Sequence, residues 1–379
     1  MTILHVIPFL WSGAGRVVTR LCLEQSAQHV VHIVTTAAGH GARDWPGYRA
    51  QLKGAGVRHH RIDTYARDNA TFWGAVQSLR TLIARERPDI IHAHAGTATG
   101  ACVIAARRTP LVSVPVVAQI YSWGRERPAW MDEMDVWAFS EADLVIGSAR
   151  GYLGRLLQGG VRPKRLLYIP WGVDRPAPPP AIASVSRRLG FVGRIEPRKG
   201  QLLLARAVAL LGRHTPTRLD LVGPVADPAY AEALDAVIAG SPRAATIRRW
   251  GRVREIGPLL GTWQLFVSLS DDEGQGLAVL EAMAAGVPVA AWSVPGIEDY
   301  LEDGRTGLVL QRGGPRAIAA QLDAALGDQA RLRAMAHRAQ RMVRHRYDWT
   351  RTLRQIELAY ARARRSAAGR DISAAAPPA

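Results

Sequence analysis

Short, continuously apolar runs alternate along this chain with longer stretches in which apolar residues recur every three to four positions. ILHVIPFL precedes RVVTRLCLEQSA, and VVHIVTT follows. Further on, FWGAVQSLRTLIARER leads into DIIHAHA, and VPVVAQIYS, ADLVIGS and LLYIPWGV carry the same signature. Unbroken apolar runs predict strands buried on both faces, and amphipathic helices between them predict a parallel sheet covered above and below. The pattern breaks at DRPAPPPAIAS, Asp174 to Ser184, where clustered prolines with little to bury predict a stiff connection. Alternation restarts with RRLGFVGRI, LLLARAVALLGRH, RLDLVGPV, YAEALDAVIAG, ATIRRWG and QLFVSLS, and ends with AVLEAMAAG, PVAAW and TGLVLQ. The segment from Pro315 to Arg365 reads as helical throughout, and the small, polar SAAGRDISAAAPPA as a disordered tail. The expected fold class is α/β, with two doubly wound sheets in tandem facing a cleft. Ligands in such sheets sit at the carboxyl ends of the strands.

Composition changes little in this picture. A chain of 379 residues exceeds the size at which one core splits, so two domains are expected. A charged fraction of 21% beside 48% hydrophobic residues is that of an ordinary globular protein. No apolar run reaches the roughly 20 residues that span a bilayer. The N-terminus lacks the basic region and cleavage site of a leader. Cys22 and Cys102 form neither a disulfide framework nor a metal-binding spacing, so a reducing cytoplasm is expected.

The net charge of +17 is the unusual number, and it implies attraction to something anionic. Arginine carries nearly all of it, since the only lysines are Lys53, Lys164 and Lys199. A GC-rich genome accounts for that bias without any function. The other candidate is peripheral contact with an anionic membrane, where each basic residue contributes about 1 kcal/mol. No nucleic acid is expected as partner, because no binding motif accompanies the charge.

Two stretches carry candidate chemistry. In SDDEGQGLAVLEAMAAG, Gly274 and Gly276 allow close approach of a ligand to the backbone, with a helix expected from about Leu277. Glu273 lies just ahead of that helix and Glu281 in its first turns, beside N–H groups suited to a phosphate or a polyol. The plain structural reading is a pair of carboxylates complementing the helix dipole, worth about 0.3–1 kcal/mol. In FVGRIEPRKGQ a strand ends at Val192, Gly193 opens a turn, and Arg194 and Lys199 project from a loop stiffened by Pro197. An arginine fork and a lysine point charge can together hold a diphosphate. The alternative there is a solvated basic turn.

Together these stretches resemble the retaining family 4 glycosyltransferases (glycosyl transferases group 1), whose fold is GT-B, two Rossmann-like domains. The family's G-R-x-x-x-x-K is matched by Gly193, Arg194 and Lys199. Its S-x-x-E-G-x-G-x-x-x-x-E-A-M-A-x-G-x-P-V is matched without a gap from Ser270 to Val289. YIPWGVD and LEDGRTGLVL are also similar, and the resemblance runs from about residue 2 to residue 362. The domains expected are 1–173 on the acceptor side, a linker at 174–185 and a nucleotide-sugar-binding domain at 186–345. A C-terminal helix at 346–365 returns to the first domain, and the tail covers 366–379.

The resemblance implies roles residue by residue. Arg194 and Lys199 hold the diphosphate of an activated sugar, Glu273 meets sugar hydroxyls and Glu281 the ribose. Gly274 and the backbone of Gln275, Gly276 and Leu277 line the sugar and distal phosphate. Gly13 and Gly15 border the acceptor and the diphosphate, although Arg16 stands where the family often has an acidic residue. His94, in HAHAG, approaches the donor sugar and completes a catalytic set with Arg194, Lys199 and Glu273. The backbone of Arg252, Val253 and Arg254 meets the nucleobase, and Glu255 accepts from a guanine. QIYSWGRERPAWMDEMDVW replaces the family's usual sequence after its strand, and its tryptophans suit a membrane interface or an acceptor pocket.

No metal and no cofactor are expected. His92 and His94 are expected to face apart, so that they cannot share an ion, and basic residues take the place of a cation. The implied function is retaining hexosyl transfer from GDP-mannose or a UDP-hexose to a glycan or polyprenyl-linked acceptor. The setting implied is exopolysaccharide or lipopolysaccharide assembly, in the cytoplasm or at the inner face of the membrane. The rivals are a nucleotide-sugar epimerase or hydrolase on the same fold, and a non-enzymatic, charge-driven binding protein.

Overall fold

Among the described residues, seven strands form the first sheet: β1 (Thr2–Val6), β2 (Val30–Thr35), β3 (Arg58–Arg61), β4 (Ile90–His94), β5 (Val116–Ile120), β6 (Leu144–Gly147) and β7 (Leu166–Tyr168). Six form the second: β8 (Arg187–Val192), β9 (Thr217–Val222), β10 (Ile247–Gly251), β11 (Leu265–Ser268), β12 (Val289–Ala291) and β13 (Leu308–Val309). The computed structural model describes residues 1–36, 46–65, 68–107, 114–123, 129–174, 187–211, 217–241 and 246–374. Most of the proline-rich linker lies outside them.

The chain divides into two units, Met1–Pro170 with Thr350–Ala379, and Trp171–Trp349. The first sheet runs β3-β2-β1-β4-β5-β6-β7 and the second β10-β9-β8-β11-β12-β13, and every pairing is parallel. In each, strand order reverses once, at β1/β4 and at β8/β11. A reversal opens a crevice at the strands' carboxyl ends, the usual ligand position in such sheets.

The α/β expectation holds for both sheets, because strands such as IIHAH and VVAQI are buried at every position. β3 is a strand that apolar patterning misses. Its RHHR sequence is largely exposed at the sheet edge, held by ladder bonds to β2 and by cross-strand contacts. His59 Nε2 lies 2.8 Å from Thr35 Oγ1, and His60 Nε2 lies 3.0 Å from His32 Nδ1. The helix Gly96–Arg107 is equally silent in the sequence, since it is buried nearly all round and built of small residues, leaving no polar stripe to read.

The C-terminal segment is helical as expected, in three helices, Pro315–Gly327, Gln329–Arg346 and Trp349–Ala374. Asp328 interrupts it as an N-cap, its carboxylate accepting from Arg331 N at 2.9 Å. The last helix also continues beyond residue 365, where a disordered tail was expected. Alanine and arginine favour helix in this stretch, and no proline intervenes before Pro377. Among the described residues, no helix is long and apolar enough to cross a membrane.

One buried carboxylate organises the second sheet. Asp220 on β9 accepts from Trp263 Nε1 at 2.7 Å, Trp250 Nε1 at 2.8 Å and Arg188 Nε at 2.7 Å. Trp263 is fully buried against Gly190, where a Cβ would lie 1.9 Å from the indole. Asp220→Ala orphans two indole donors and a guanidinium, so the expected loss is about 3–5 kcal/mol, measured by denaturant unfolding. A loss below 1 kcal/mol would show that water replaces the carboxylate.

Candidate functional site

At the reversal of the second sheet, two loops leave neighbouring strands. The loop after β8 turns at Gly193, whose N–H donates to Val222 O at 2.9 Å. It then makes a 3-10 turn, Pro197–Lys199, ended by Gly200 at φ 71. Gly223 at the end of β9 has φ 147, and a Cβ there would lie 1.9 Å from Gly193 O. The loop after β11 runs to Gly276, at φ 67, which caps the helix Leu277–Ala284.

The two loops meet at Lys199 and Glu273, 74 residues apart, with Nζ 2.5 Å from Oε1. Lys199 is buried and Glu273 half-buried, so the solvated-turn reading fails for this lysine. Burial pulls the Lys199 pKa below its ordinary value, against the attraction of Glu273. Burial also opposes ionisation of Glu273. There the charge and hydrogen bond of Lys199, with Ser270 and Arg198, outweigh it and hold the carboxyl below its ordinary range.

The surrounding groups are fixed. Arg194 Nη2 lies 3.0 Å from Glu196 Oε1, which Arg198 Nε shares at 2.7 Å. The Gln275 side chain accepts from Trp171 N at 2.7 Å and donates to Trp171 O at 2.8 Å, so it serves as a brace. Tyr300 donates to Gln275 O at 2.8 Å, with Gly276 O 3.2 Å away. These ties hold the carbonyls back; Val279 N and Leu280 N donate to Gly276 O at 2.9 and 3.1 Å, and the N–H groups of Leu277 and Ala278 precede them at the helix start. Gly274 lies within the loop, and Glu281 one turn into the helix. Arg252, Arg254 and Glu255 are exposed and Val253 half-buried, beyond the carboxyl end of β10. That places them at the sheet edge, two strands from β8.

In the first unit, the helix Ser12–Ser26 follows β1, with Ser12 at φ 56. Gly13 is exposed in its first turn, and Gly15 packs where a Cβ would lie 2.5 Å from the Leu10 backbone. His94 differs from expectation. It is fully buried, with Nδ1 2.8 Å from Tyr121 OH and Nε2 3.1 Å from His5 Nδ1. Neither nitrogen is open to a sugar in this arrangement, because His5 on β1 stands beside it.

His92 and His94 do not face apart either. Residues two apart on a strand share a face, and the two rings have centroids 4.2 Å apart. Burial lowers the pKa of all three histidines, that of His5 to about 4. Among the described residues, His5, His92 and His94 form one group able to hold a metal ion, and His32, His60 and Glu86 another. The argument from ring direction against a shared ion therefore fails. His5 is the member that sequence reading missed. It lies opposite His92 once β1 pairs with β4 in parallel register.

Two doubly wound sheets in tandem, each with loops at its reversal, are the arrangement of the GT-B fold. Models of the family match the chain twice, as Glycosyltransferase Family 4 over residues 11–175 and as Glycosyl transferases group 1 over residues 186–328. The chain belongs to the family 4, group 1 glycosyltransferases.

A D-inositol 3-phosphate glycosyltransferase of Thermobispora bispora is 33% identical over 53% of this chain and 51% of its own length. A sulfoquinovosyl transferase of Arabidopsis thaliana is 28% identical over 70% of this chain and 55% of its own. The chain thus spans about half the length of the curated relatives it matches. In fold it is similar to Anabaena HepE, solved with UDP-glucose, at a TM-score of 0.81 and 19% identity, covering 95% of this chain and 99% of that one.

Proposed function

We propose that the chain transfers a hexosyl unit, with retention, from a nucleoside diphosphate sugar to a glycan or polyprenyl-linked acceptor. The setting proposed is exopolysaccharide or lipopolysaccharide assembly in the cytoplasm, with peripheral contact at the anionic inner face of the membrane. The observation that carries the reading is the Lys199–Glu273 pair at the reversal of the second sheet, ahead of a helix N-terminus.

In this reading the diphosphate takes Lys199 and Arg194 as counter-charges, and the helix N-terminus receives its distal phosphate. Glu273, released from Lys199, accepts from sugar hydroxyls, while Glu281 meets the ribose. As the anomeric carbon–oxygen bond breaks, charge builds on the departing diphosphate, and these preorganised groups stabilise it. An acceptor hydroxyl then attacks from the leaving-group side, its oxygen bonding to the anomeric carbon and its proton passing to the departing diphosphate. No metal or resident cofactor is required.

The test is thermal denaturation against UDP, GDP, ADP and their sugars. A ligand that binds only the folded state raises the melting temperature, by about 2.7 kcal/mol of stability at a hundredfold excess over Kd. The expected result is a clear shift with one nucleotide. HepE, solved with UDP-glucose, supports uridine, whereas Glu255 supports guanine. No shift with any nucleotide at millimolar concentration would overturn the reading.

A further inference from the structure

The buried histidines of the first unit belong to a longer row of hydrogen bonds. It begins on the last helix, where Glu357 Oε1 accepts from Gln25 Nε2 at 3.0 Å. Gln25 Oε1 then lies 2.8 Å from His5 Nε2, His5 Nδ1 lies 3.1 Å from His94 Nε2, and His94 Nδ1 lies 2.8 Å from Tyr121 OH. Tyr121 is the first residue beyond β5, at the carboxyl end of the sheet beside His94.

The direction of every bond follows from its first member. A carboxylate only accepts, so Gln25 turns its NH2 to Glu357 and its carbonyl to His5. His5 must then carry its proton on Nε2, leaving Nδ1 to accept. His94 donates from Nε2 and accepts on Nδ1, so the Tyr121 hydroxyl gives its single proton inward. Toward any other group, the Tyr121 oxygen can only accept.

We propose that Glu357 is a positioning residue that fixes the His94 tautomer through Gln25 and His5, making Tyr121, at the carboxyl end of the first sheet, an acceptor for a hydroxyl of the acceptor substrate. The role in catalysis rests on the transferase reading above, but the tautomer does not. Burial keeps His5 and His94 neutral across the physiological range, so their tautomers rather than their charge are what the row can set. In this reading Gln25 and Glu357 touch no substrate: Glu357 meets Gln25 and His29, and Gln25 meets His5. They act only by deciding which way the protons point.

The test is 15N NMR of the histidine side chains in the full chain, with two variants of a residue whose side chain is 37% exposed on a helix. In the unchanged protein His94 carries its proton on Nε2. Glu357→Lys puts a donor where only an acceptor stood, so the Gln25 amide turns over and the row inverts. His94 then carries its proton on Nδ1. Glu357→Gln retains an acceptor oxygen and the original tautomer. His29, 3.5 Å from Glu357 Oε2, is read in the same spectra as the neighbouring control.

With a donor identified, Glu357→Lys lowers transfer kcat/KM by roughly 10–100-fold, the effect of one mispaired buried hydrogen bond, and Glu357→Gln restores it. A folded Glu357→Lys protein in which His94 keeps its proton on Nε2 would overturn the proposal. So would inversion by Glu357→Gln as well. If the unchanged protein transfers no sugar, the proposed function falls while the spectra still decide the tautomer.

Discussion

Glu273→Ala abolishes transfer and lowers stability by about 3–5 kcal/mol, the usual consequence of removing one partner of a buried ion pair. Lys199 has lost most of its hydration in the fold and has Glu273 at 2.5 Å as its counter-charge. Without that carboxylate the ammonium is buried alone, or gives up its proton. The stability cost comes from the contact between the two loops. Lys199→Met combined with Glu273→Leu separates the two effects. Replacing both charges with apolar groups recovers most of the stability, whereas the diphosphate has lost its lysine and transfer stays absent. Chemical denaturation and a transfer assay on both variants check this. A stable, active Glu273→Ala protein would remove Glu273 from the site.

Gly223→Ala is expected to have the second large effect, although residue 223 belongs to no motif. At φ 147 only glycine is comfortable, and a methyl group there would meet Gly193 O at 1.9 Å. Backbone strain of this kind costs about 1–3 kcal/mol before any clash is counted. The clash is relieved by moving Gly193, which opens the loop carrying Arg194 and Lys199. A melting temperature lowered by several degrees should accompany loss of the shift caused by nucleotide. A variant that melts lower but retains the full nucleotide shift would mean that the loop tolerates the displacement.

Both sheets were legible because strands buried on two faces leave unbroken apolar runs, and the helices between them show an amphipathic period. β3 was not, since an edge strand of arginine and histidine is held by ladder bonds that leave no hydrophobic trace. Gly96–Arg107 was silent for the opposite reason, being too uniformly buried to show a stripe. Lys199 and Glu273 were each legible from local spacing, as a lysine in an arginine-dominated chain and a carboxylate before a helix start. Their direct contact was not, because strand order decides which loops become neighbours. The same holds for His5 and His94, which lie 89 residues apart and meet only because β1 pairs with β4. The error over His92 and His94 was of another kind, a misreading of the strand's period of two.

The division of the chain has a consequence for how the protein is made. Residues 171–349 form a complete unit whose two ends lie side by side, with Val173 N donating to Tyr347 O at 3.0 Å and Trp171 stacked on Trp349. The first unit is instead written in two instalments. Its opening 170 residues leave the ribosome without Glu357 and Tyr360, which later close over Gln25 and His92. The segment translated second can therefore reach its final form before the one translated first. The nascent N-terminal sheet waits for the last helix with its histidines uncovered.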